Sequence, residues 1–351
     1  MPDSEILPKT HFASDNTSGV CPEAWEAMAR ANRDYAASYG NDAWTERASN
    51  LLRDLFEAPE AEVFFVFNGT AANSLALASC CQSYHSVICH EHAHIIDDEC
   101  GAPEFFSNGT KLLGAPGEYG KINPAAIAQL ALKRTDIHYP KPRVVSLTQS
   151  TELGTVYQID ELAAIRETTQ RFNLVTQMDG ARFSNAIAFL GVSPKTATWE
   201  NGVDVLCFGG TKLGMANCEA VIFFNKELAR EFDYRCKQAG QLASKMRLLA
   251  AGWVGVLENG AWLKHARHAN QCASQLAGRL KAEAGITTSQ PVEANAVFVE
   301  LPDDLMRGLR SRGWVIYNFI GGNVARLMCS WQTTGADVDA LLADIRALQN
   351  R

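Results

Sequence analysis

The sequence predicts an α/β protein with a large, mostly parallel sheet and a small C-terminal α+β unit. Short apolar runs alternate with helical stretches up to about residue 225, which is the order of a parallel sheet covered on both faces. After about residue 261 the order changes to helices with three strands, two of which form a hairpin. The chain has 351 residues, 47% of them hydrophobic and 20% charged, as in a globular protein of roughly two domains.

The large sheet is predicted from apolar runs that stop at glycine or polar residues. Runs of this length and composition are typical of strands buried on both faces. The predicted strands are 63–67, 86–89, 143–148, 174–178, 203–208 and 220–224. Helices are predicted over 71–81 and, from its amphipathic spacing, over 159–172.

The C-terminal part is predicted to hold one long helix over 261–284 and a small antiparallel sheet. Further elements are a strand over 296–301, a helix to about 312, strands over 314–320 and 324–331 joined at Gly321-Gly322-Asn323, and a helix over 336–348. The boundary is expected between 240 and 262, within a helical connection. We therefore predict a large domain over 1–255 and a small domain over 256–351.

The charge balance excludes several partners. The net charge is −7 and no Lys/Arg-rich run occurs, so the sequence predicts no nucleic-acid or membrane-surface partner. No apolar stretch approaches the ~18 residues of a membrane span, and residues 1–9 do not resemble a signal peptide. Ten scattered cysteines without a C-x-x-C pair are expected to be reduced core residues. These features favour a cytoplasmic protein.

Candidate site residues follow the predicted strands, because parallel sheets bind ligands at the carboxyl ends of their strands. Gly69 and Thr70 follow the first strand and open a helix, where free N–H groups can hold a phosphate. His90, His92 and His94 follow the second strand. Alternate histidines resemble a metal site, but one imidazole lying over a flat cofactor is at least as plausible, and we predict no metal.

Two further strands end in groups with complementary chemistry. Asp179-Gly180-Ala181-Arg182 offers a carboxylate that can orient a cation and an arginine that can hold a carboxylate. Lys212 follows Gly209-Gly210-Thr211, and a lysine desolvated at this point can attack a carbonyl carbon. G-x-G-x-x-G, G-x-S-x-G and P-loop motifs are absent, which weakens dehydrogenase, serine hydrolase and nucleotide-binding interpretations.

Jointly, these groups fit pyridoxal 5′-phosphate. This cofactor needs a phosphate cup, a lysine for a Schiff base, an acid facing the pyridine nitrogen and a group over the ring. Gly69 with Thr70, Lys212, Asp179 and His94 can supply all four. The combination is much more specific than any single motif.

The sequence resembles the pyridoxal-phosphate-dependent low-specificity L-threonine aldolases, of the aspartate-aminotransferase fold group (fold type I). The resemblance extends over essentially the whole chain. The segments that carry it are 12–19 (FASDNTSG), 67–73 (FNGTAAN), 93–95 with Glu99, 178–182 (MDGAR) and 208–212 (FGGTK), with weaker matches at 246–247 and 325–328. The resemblance implies a carbon-carbon lyase that cleaves L-threonine, L-allo-threonine and related β-hydroxy-α-amino acids such as phenylserine, reversibly, to glycine and an aldehyde.

The resemblance also implies roles for individual residues. Lys212 would bond to the cofactor, Asp179 would pair with the pyridinium nitrogen, and His94 would stack on the ring and act in catalysis. Gly69 and Thr70 would bind the phosphate.

Other residues carry over to the substrate and to the assembly. Ser14, Arg182 and Arg326 would grip the substrate carboxylate, with Arg182 also beside the cofactor. His138 would act near the substrate hydroxyl.

The resemblance implies a homodimer or homotetramer with shared active sites. Tyr39 would reach the substrate in a partner's site, and Arg247 or Lys237 would help to bind the cofactor phosphate in a partner's site. Many relatives have Glu-Asn-Thr-His at 148–151, where this chain has Thr-Gln-Ser-Thr. Gln149 could therefore replace an asparagine near the cofactor hydroxyl.

Alternatives remain open at this point. A β-eliminating lyase or an aminotransferase would use the same cofactor, and the first of these would release pyruvate instead of glycine. A metal hydrolase built on the three histidines and a non-catalytic binding module are the candidates from other classes.

Overall fold

The computed structural model describes residues 7–319 and 322–350 and has the predicted α/β architecture. Its strands are β1 (Glu62–Val66), β2 (His85–His90), β3 (Lys111–Ala115), β4 (Lys141–Thr148), β5 (Val175–Gly180), β6 (Val205–Phe208), β7 (Glu219–Phe223), β8 (Ala296–Glu300), β9 (Tyr317–Asn318) and β10 (Val324–Met328). Seven strands form one sheet in the order β1-β7-β6-β5-β4-β2-β3, and three form a second in the order β8-β10-β9.

Helices cover both faces of the large sheet and one face of the small one. They are α1 (Pro22–Ala31), α2 (Ala43–Leu55), α3 (Gly69–Cys80), α4 (His94–Asp97), α5 (Ala102–Phe106), α6 (Pro124–Leu132), α7 (Ile159–Arg171), α8 (Phe183–Leu190), α9 (Phe232–Gln238), α10 (Met246–Glu258), α11 (Ala261–Ala284), α12 (Asp303–Ser311) and α13 (Gly335–Gln349). No helix among the described residues is long and apolar enough to cross a membrane.

The prediction of a mostly parallel sheet is confirmed. Strands β2 to β6 run parallel to one another, β7 is antiparallel to β6, and β1 is antiparallel to β7. Consequently β1 has the direction of β6, and the carboxyl ends of β1, β2, β4, β5 and β6 meet at one edge. The residues that follow these strands are thereby brought together.

Alternation along the central strands divides the interior into two layers. In β6, Leu206 and Phe208 face the layer under α1, α8 and α10, whereas Val205 and Cys207 face the layer under α3 and α9. Burial on both faces explains why these strands are continuous apolar runs. Nine of the ten cysteines are buried, and none forms a disulfide.

The predicted hairpin of the small sheet needs a correction. Val324–Met328 forms β10, but only Tyr317–Asn318 of the predicted strand 314–320 pairs with it, and Ile320 and Gly321 lie outside the described residues. β3 is an additional strand that the sequence did not predict. The domain boundary near 255 stays a prediction, because α11 packs against α8 of the large unit as well as against α13.

Candidate active site

A cavity of about 210 Å³ lies at the carboxyl edge of the large sheet. Residues from the ends of four strands line it, namely Gly69 and Thr70 after β1, His94 after β2, Asp179 in β5 and Lys212 after β6. The topology brings these five predicted residues together.

The N-terminus of α3 forms one wall of the cavity. The Asn68 side chain accepts a hydrogen bond from the Ala71 N–H at 2.9 Å and so caps the helix. The N–H groups of Gly69 and Thr70, at the first two helical positions, have no carbonyl partner within the helix. A Cβ placed on Gly69 would meet no atom within 4 Å, so the space in front of the helix is open. This wall suits an anion such as a phosphate.

Asp179 is fixed on the cavity floor, with 5% of its surface exposed. Its Oδ1 accepts a hydrogen bond from the Ala181 N–H at 3.0 Å, and its Oδ2 accepts one from the Asn73 side chain at 2.8 Å. Two donors therefore hold the carboxylate in one orientation. A carboxylate that pairs with a heterocyclic nitrogen needs such a fixed orientation.

His94 is held by a buried relay that begins at the same asparagine. Asn73 Nδ2 also donates to Glu99 Oε1 at 2.9 Å, and the same oxygen lies 2.9 Å from His94 Nδ1. The hydrogen bond to Glu99 raises the pKa of His94, and burial raises the pKa of Glu99. With Nδ1 directed at Glu99, the imidazole keeps a fixed plane and leaves Nε2 for a ligand.

Lys212 lies in a glycine-rich loop that Glu219 clamps. Glu219 Oε2 accepts a hydrogen bond from the Gly210 N–H at 2.6 Å, and its Oε1 accepts one from the Thr211 hydroxyl at 2.7 Å. A Cβ at Gly209 would lie 2.5 Å from the Ala181 carbonyl oxygen, so only glycine fits there. Lys212 is half-buried rather than buried as expected, and no described side chain bonds to its amine.

Arg182 is an ion-paired residue rather than a free cation. Its Nε and Nη2 donate to the two carboxylate oxygens of Asp15 at 2.7 and 2.9 Å. Burial opposes ionisation of Asp15, but the charge and hydrogen bonds of Arg182 outweigh it and lower the pKa to about 2. Ser14, before Asp15, is half-buried and accepts a hydrogen bond from the Asn16 N–H at 3.2 Å. A substrate carboxylate could reach only the Nη1 side of Arg182.

Arg326, in β10, has a buried guanidinium donor without a partner in the described part of the chain. Its Nε is buried and has no hydrogen-bond partner among the described residues. The group lies 4.4 Å from the centre of the Phe319 ring, and burial lowers its pKa. A buried donor without a partner costs about 1–3 kcal/mol, which an anionic ligand would recover.

Two predicted site residues lie elsewhere. Gln149 is fully buried, and its amide bonds in both directions to the backbone of Tyr157, at 3.0 and 3.1 Å. Its contact with the cofactor hydroxyl stays a prediction. His138 lies on an exposed loop that precedes β4 and does not line this cavity, so its role near the substrate hydroxyl stays a prediction. The amino end of β4 faces the opposite edge of the sheet.

The residues expected to act across subunits form a separate cluster outside the cavity. The Lys237 amine lies 4.7 Å from the centre of the Tyr39 ring, which is 45% exposed. Arg247 is buried, and its Nε donates to the Ala31 carbonyl at 3.1 Å. Their contribution to a partner's site stays a prediction.

His90, His92 and His94 do not form a cluster of metal ligands in the described structure, although the rings of His90 and His92 lie 5.6 Å apart. His90 bonds to the Gly117 carbonyl at 3.0 Å, whereas His92 lies 3.4 Å from Asp97. Only His94 reaches the cavity.

Three residues of the site were not predicted from the sequence, namely Asn73, Asp15 and Glu219. Asn73 had a visible signal, since it is the single asparagine in a helix of small and apolar residues without any charge, one turn after Gly69. Asp15 and Glu219 depend on contacts across the fold that no local pattern shows.

Comparison with known proteins gives consistent results. A family model described as beta-eliminating lyase matches residues 11–304. Low specificity L-threonine aldolases from a Pseudomonas species and from Pseudomonas aeruginosa are 61% and 63% identical, over 97% and 95% of this chain and 98% and 96% of theirs. A solved structure of Leishmania major threonine aldolase has a TM-score of 0.89 at 28% identity, covering 97% of this chain and 98% of that one.

A lysine, an oriented carboxylate, a held imidazole and a helix N-terminus at one edge of a mostly parallel sheet define the fold type I class of pyridoxal-phosphate enzymes. All four groups are present here at the predicted strand ends. The chain belongs to the beta-eliminating lyase family and, within it, to the low-specificity L-threonine aldolases.

Proposed function

We propose that this protein is a pyridoxal-phosphate-dependent aldolase that cleaves L-threonine, L-allo-threonine and related β-hydroxy-α-amino acids to glycine and an aldehyde, reversibly. The observation that carries the proposal is the convergence of Lys212, Asp179, His94 and the α3 N-terminus on one cavity. The identity of 61–63% with low specificity L-threonine aldolases supports the choice of substrate.

The residues present fit the cofactor. Lys212 would bond to its aldehyde carbon, Asp179 would pair with its ring nitrogen, and Gly69 and Thr70 would hold its phosphate. When bound, the cofactor supplies an electron sink for the pair of electrons released when a bond to Cα breaks. The open space before Gly69 and the two-donor clamp on Asp179 support this assignment.

The substrate carboxylate would bind Arg326, whose buried Nε has no other partner in the described structure. Arg182 would add its remaining Nη1 group, and Ser14 lies beside the Asp15 that holds this arginine. Anchoring the carboxylate fixes the rotation of the substrate about Cα, so one bond at Cα is aligned for cleavage and the others are not.

His94 would lie against the cofactor ring, since Glu99 holds its plane. The imidazole, which can carry a positive charge, would then lie over the group that receives the electrons. His138 can meet a substrate only in a site formed with another copy of the chain, because it is exposed at the opposite edge. Tyr39 and Arg247 would contribute in the same way within a homodimer or homotetramer.

The location and the domain division are also proposals. Ten free cysteines, nine of them buried, support a reducing compartment such as the cytoplasm. The small sheet has its own hydrophobic core, which supports a division into units 1–255 and 256–351.

The test is a product assay on the purified holoenzyme. With L-threonine and L-allo-threonine, we expect glycine and acetaldehyde in equal amounts. A β-eliminating lyase acting on an amino acid with a leaving group would yield pyruvate and ammonia, and an aminotransferase would need a keto-acid acceptor. Release of either alternative set of products without glycine would overturn the proposal.

A further inference from the structure

The loop between β4 and α7, residues 149–158, carries a carboxylate that the proposed chemistry does not use. Thr148, the last residue of β4, pairs with Asp179 in the sheet, and the Gln149 N–H donates to the Asp179 carbonyl at 2.8 Å. The loop therefore leaves the sheet directly beside the cavity floor. Glu152 lies three residues further along.

The turn that holds Glu152 is fixed from several sides. The Thr151 N–H donates to the Thr155 carbonyl at 2.8 Å, and the Gly154 N–H donates to the Thr151 carbonyl at 2.9 Å. The Thr151 hydroxyl also donates to the Tyr119 carbonyl at 3.1 Å. Glu152 is thus presented from a tight, doubly anchored turn and not from a loose loop.

The turn also packs against the small sheet. A Cβ at Gly154 would lie 3.1 Å from the Ala296 Cβ and 3.3 Å from the Phe298 ring. Phe298 pairs with Arg326 across β8 and β10. Glu152 therefore sits between the floor of the cavity, at Asp179, and the strand of the carboxylate-binding arginine.

The charges around Glu152 come from four other parts of the chain. Burial raises the pKa of this carboxyl, and the charge of Asp179 raises it further, whereas Lys212, His94 and Arg182 lower it. The negative charge of Glu152 in turn acts to raise the pKa of Arg326, against the larger effect of burial.

Despite these cations, Glu152 has no hydrogen bond or ion pair with any residue in 7–319 or 322–350, and it is only half-buried. A carboxylate held among catalytic groups but bonded to none of them is available to a ligand.

We propose that Glu152 is a further catalytic residue, which removes the proton from the β-hydroxyl of the substrate. The inference rests on the proposed aldol cleavage. A substrate bound by its carboxylate at Arg326, with Cα next to Lys212, would have its third substituent near the turn that carries Glu152, because this turn lies between the Asp179 backbone and β8. His94 has a different task in the proposed function, because it would lie against the cofactor ring in the plane that Glu99 fixes.

In this step one proton moves and two bonds break. The hydroxyl O–H bond breaks, its proton goes to a Glu152 carboxylate oxygen, and its electron pair becomes the second C–O bond of the aldehyde. The Cα–Cβ bond breaks, and its electron pair stays with the glycine fragment. Glu152 then releases the proton to water and Cα takes one up, so no proton is consumed overall. The ionised carboxylate is the base, so cleavage falls as the pH drops through the raised pKa of Glu152.

The decisive variant is Glu152→Gln, which keeps the size of the side chain and removes the base. Cleavage of L-threonine and L-allo-threonine by the holoenzyme is expected to fall by roughly 10²–10⁴-fold, the usual range for a general base. Exchange of the glycine α-hydrogen in D₂O needs no hydroxyl proton transfer and is expected to stay unchanged. Glycine affinity, from spectral titration, and cofactor content are expected to stay unchanged as well. Glu118→Gln, an exposed carboxylate on the neighbouring loop, is the matched control.

Full cleavage activity in Glu152→Gln would overturn the proposal. An equal loss of cleavage and glycine exchange would also overturn it, because it would assign Glu152 a positioning role. If Glu152→Gln does not fold, Glu152→Asp retains the charge on a shorter side chain. This variant should cleave more slowly and keep the acid limb of the pH profile, and wild-type rates in it would count against the proposal. A wild-type protein that exchanges glycine but cleaves no β-hydroxy amino acid would instead refute the proposed function.

Discussion

Replacing Asp15 with asparagine removes the charge that neutralises Arg182 at the edge of the cavity. Asp15 is 1% exposed and bonds to Arg182 through both oxygens. Its pKa is lowered from 3.8 to about 2, which corresponds to about 2 kcal/mol of stability at neutral pH. Leaving the arginine buried and unpaired raises the expected loss to about 3–5 kcal/mol.

The effect of pH has a definite sign. Because the folded-state pKa of Asp15 is below its unfolded value, its contribution is complete above pH 3.8 and is lost as the pH falls toward 2. Between pH 5 and pH 3 the wild-type protein should lose about 1 kcal/mol that Asp15→Asn does not lose.

The assay is urea unfolding of the apoprotein at several pH values. The matched control is Asp136→Asn, since Asp136 forms the same two-bond pair with Arg134 but on the exposed surface. We expect the control to leave the free energy of unfolding nearly unchanged. Equal losses in Asp15→Asn and Asp136→Asn, or parallel pH profiles for Asp15→Asn and wild type, would refute the reasoning.

The remaining predictions concern the cavity. Lys212→Ala should abolish turnover, and borohydride reduction of the wild type should fix the cofactor to Lys212 alone; attachment to another lysine would contradict the assignment. His94→Asn should weaken cofactor binding and turnover together, because it removes the imidazole that Glu99 holds in a fixed plane for contact with the cofactor ring. His138→Asn should leave the cofactor spectrum intact. If His138 acts across subunits, any loss of cleavage should be restored in mixed oligomers in which another copy of the chain supplies His138. Asn73→Ala should lower cofactor affinity, measured by spectral titration, because it removes a donor to Asp179; unchanged affinity would disprove the relay.

Much of the fold could be predicted because local patterns determine it. The helix predicted over 261–284 is observed with those bounds, and that predicted over 159–172 ends one residue earlier, at Arg171. β3 was missed because Lys111–Ala115 ends in Gly-Ala and has no β-branched residue, so it resembles a loop. As an edge strand, it is defined by pairing with β2 and not by its own composition.

The site residues that lie at or just after the carboxyl ends of strands could be predicted from the sequence. Lys212, Asp179 and His94 each follow or end a strand of common direction, so sequence position placed them at one edge. His138 precedes its strand, and the same rule would have excluded it from the site of its own chain. The surroundings of Gln149 and Glu152 could not be predicted from the sequence, because they depend on how the 149–158 loop packs against Tyr157 and β8.

The N-terminal segment that carries Asp15 also forms backbone hydrogen bonds with residues far along the chain. The Lys9 N–H donates to the Gly313 carbonyl at 2.7 Å, and the Met328 N–H donates to the Phe12 carbonyl at 2.9 Å. During synthesis this segment therefore leaves the ribosome before its partners, which are added roughly 300 residues later. At about 5–20 residues per second it waits on the order of 15–60 s before it can dock. The substrate end of the cavity is thus completed only after Met328 has been added, so a translation product truncated before that point has the lysine and its loop but not a closed site.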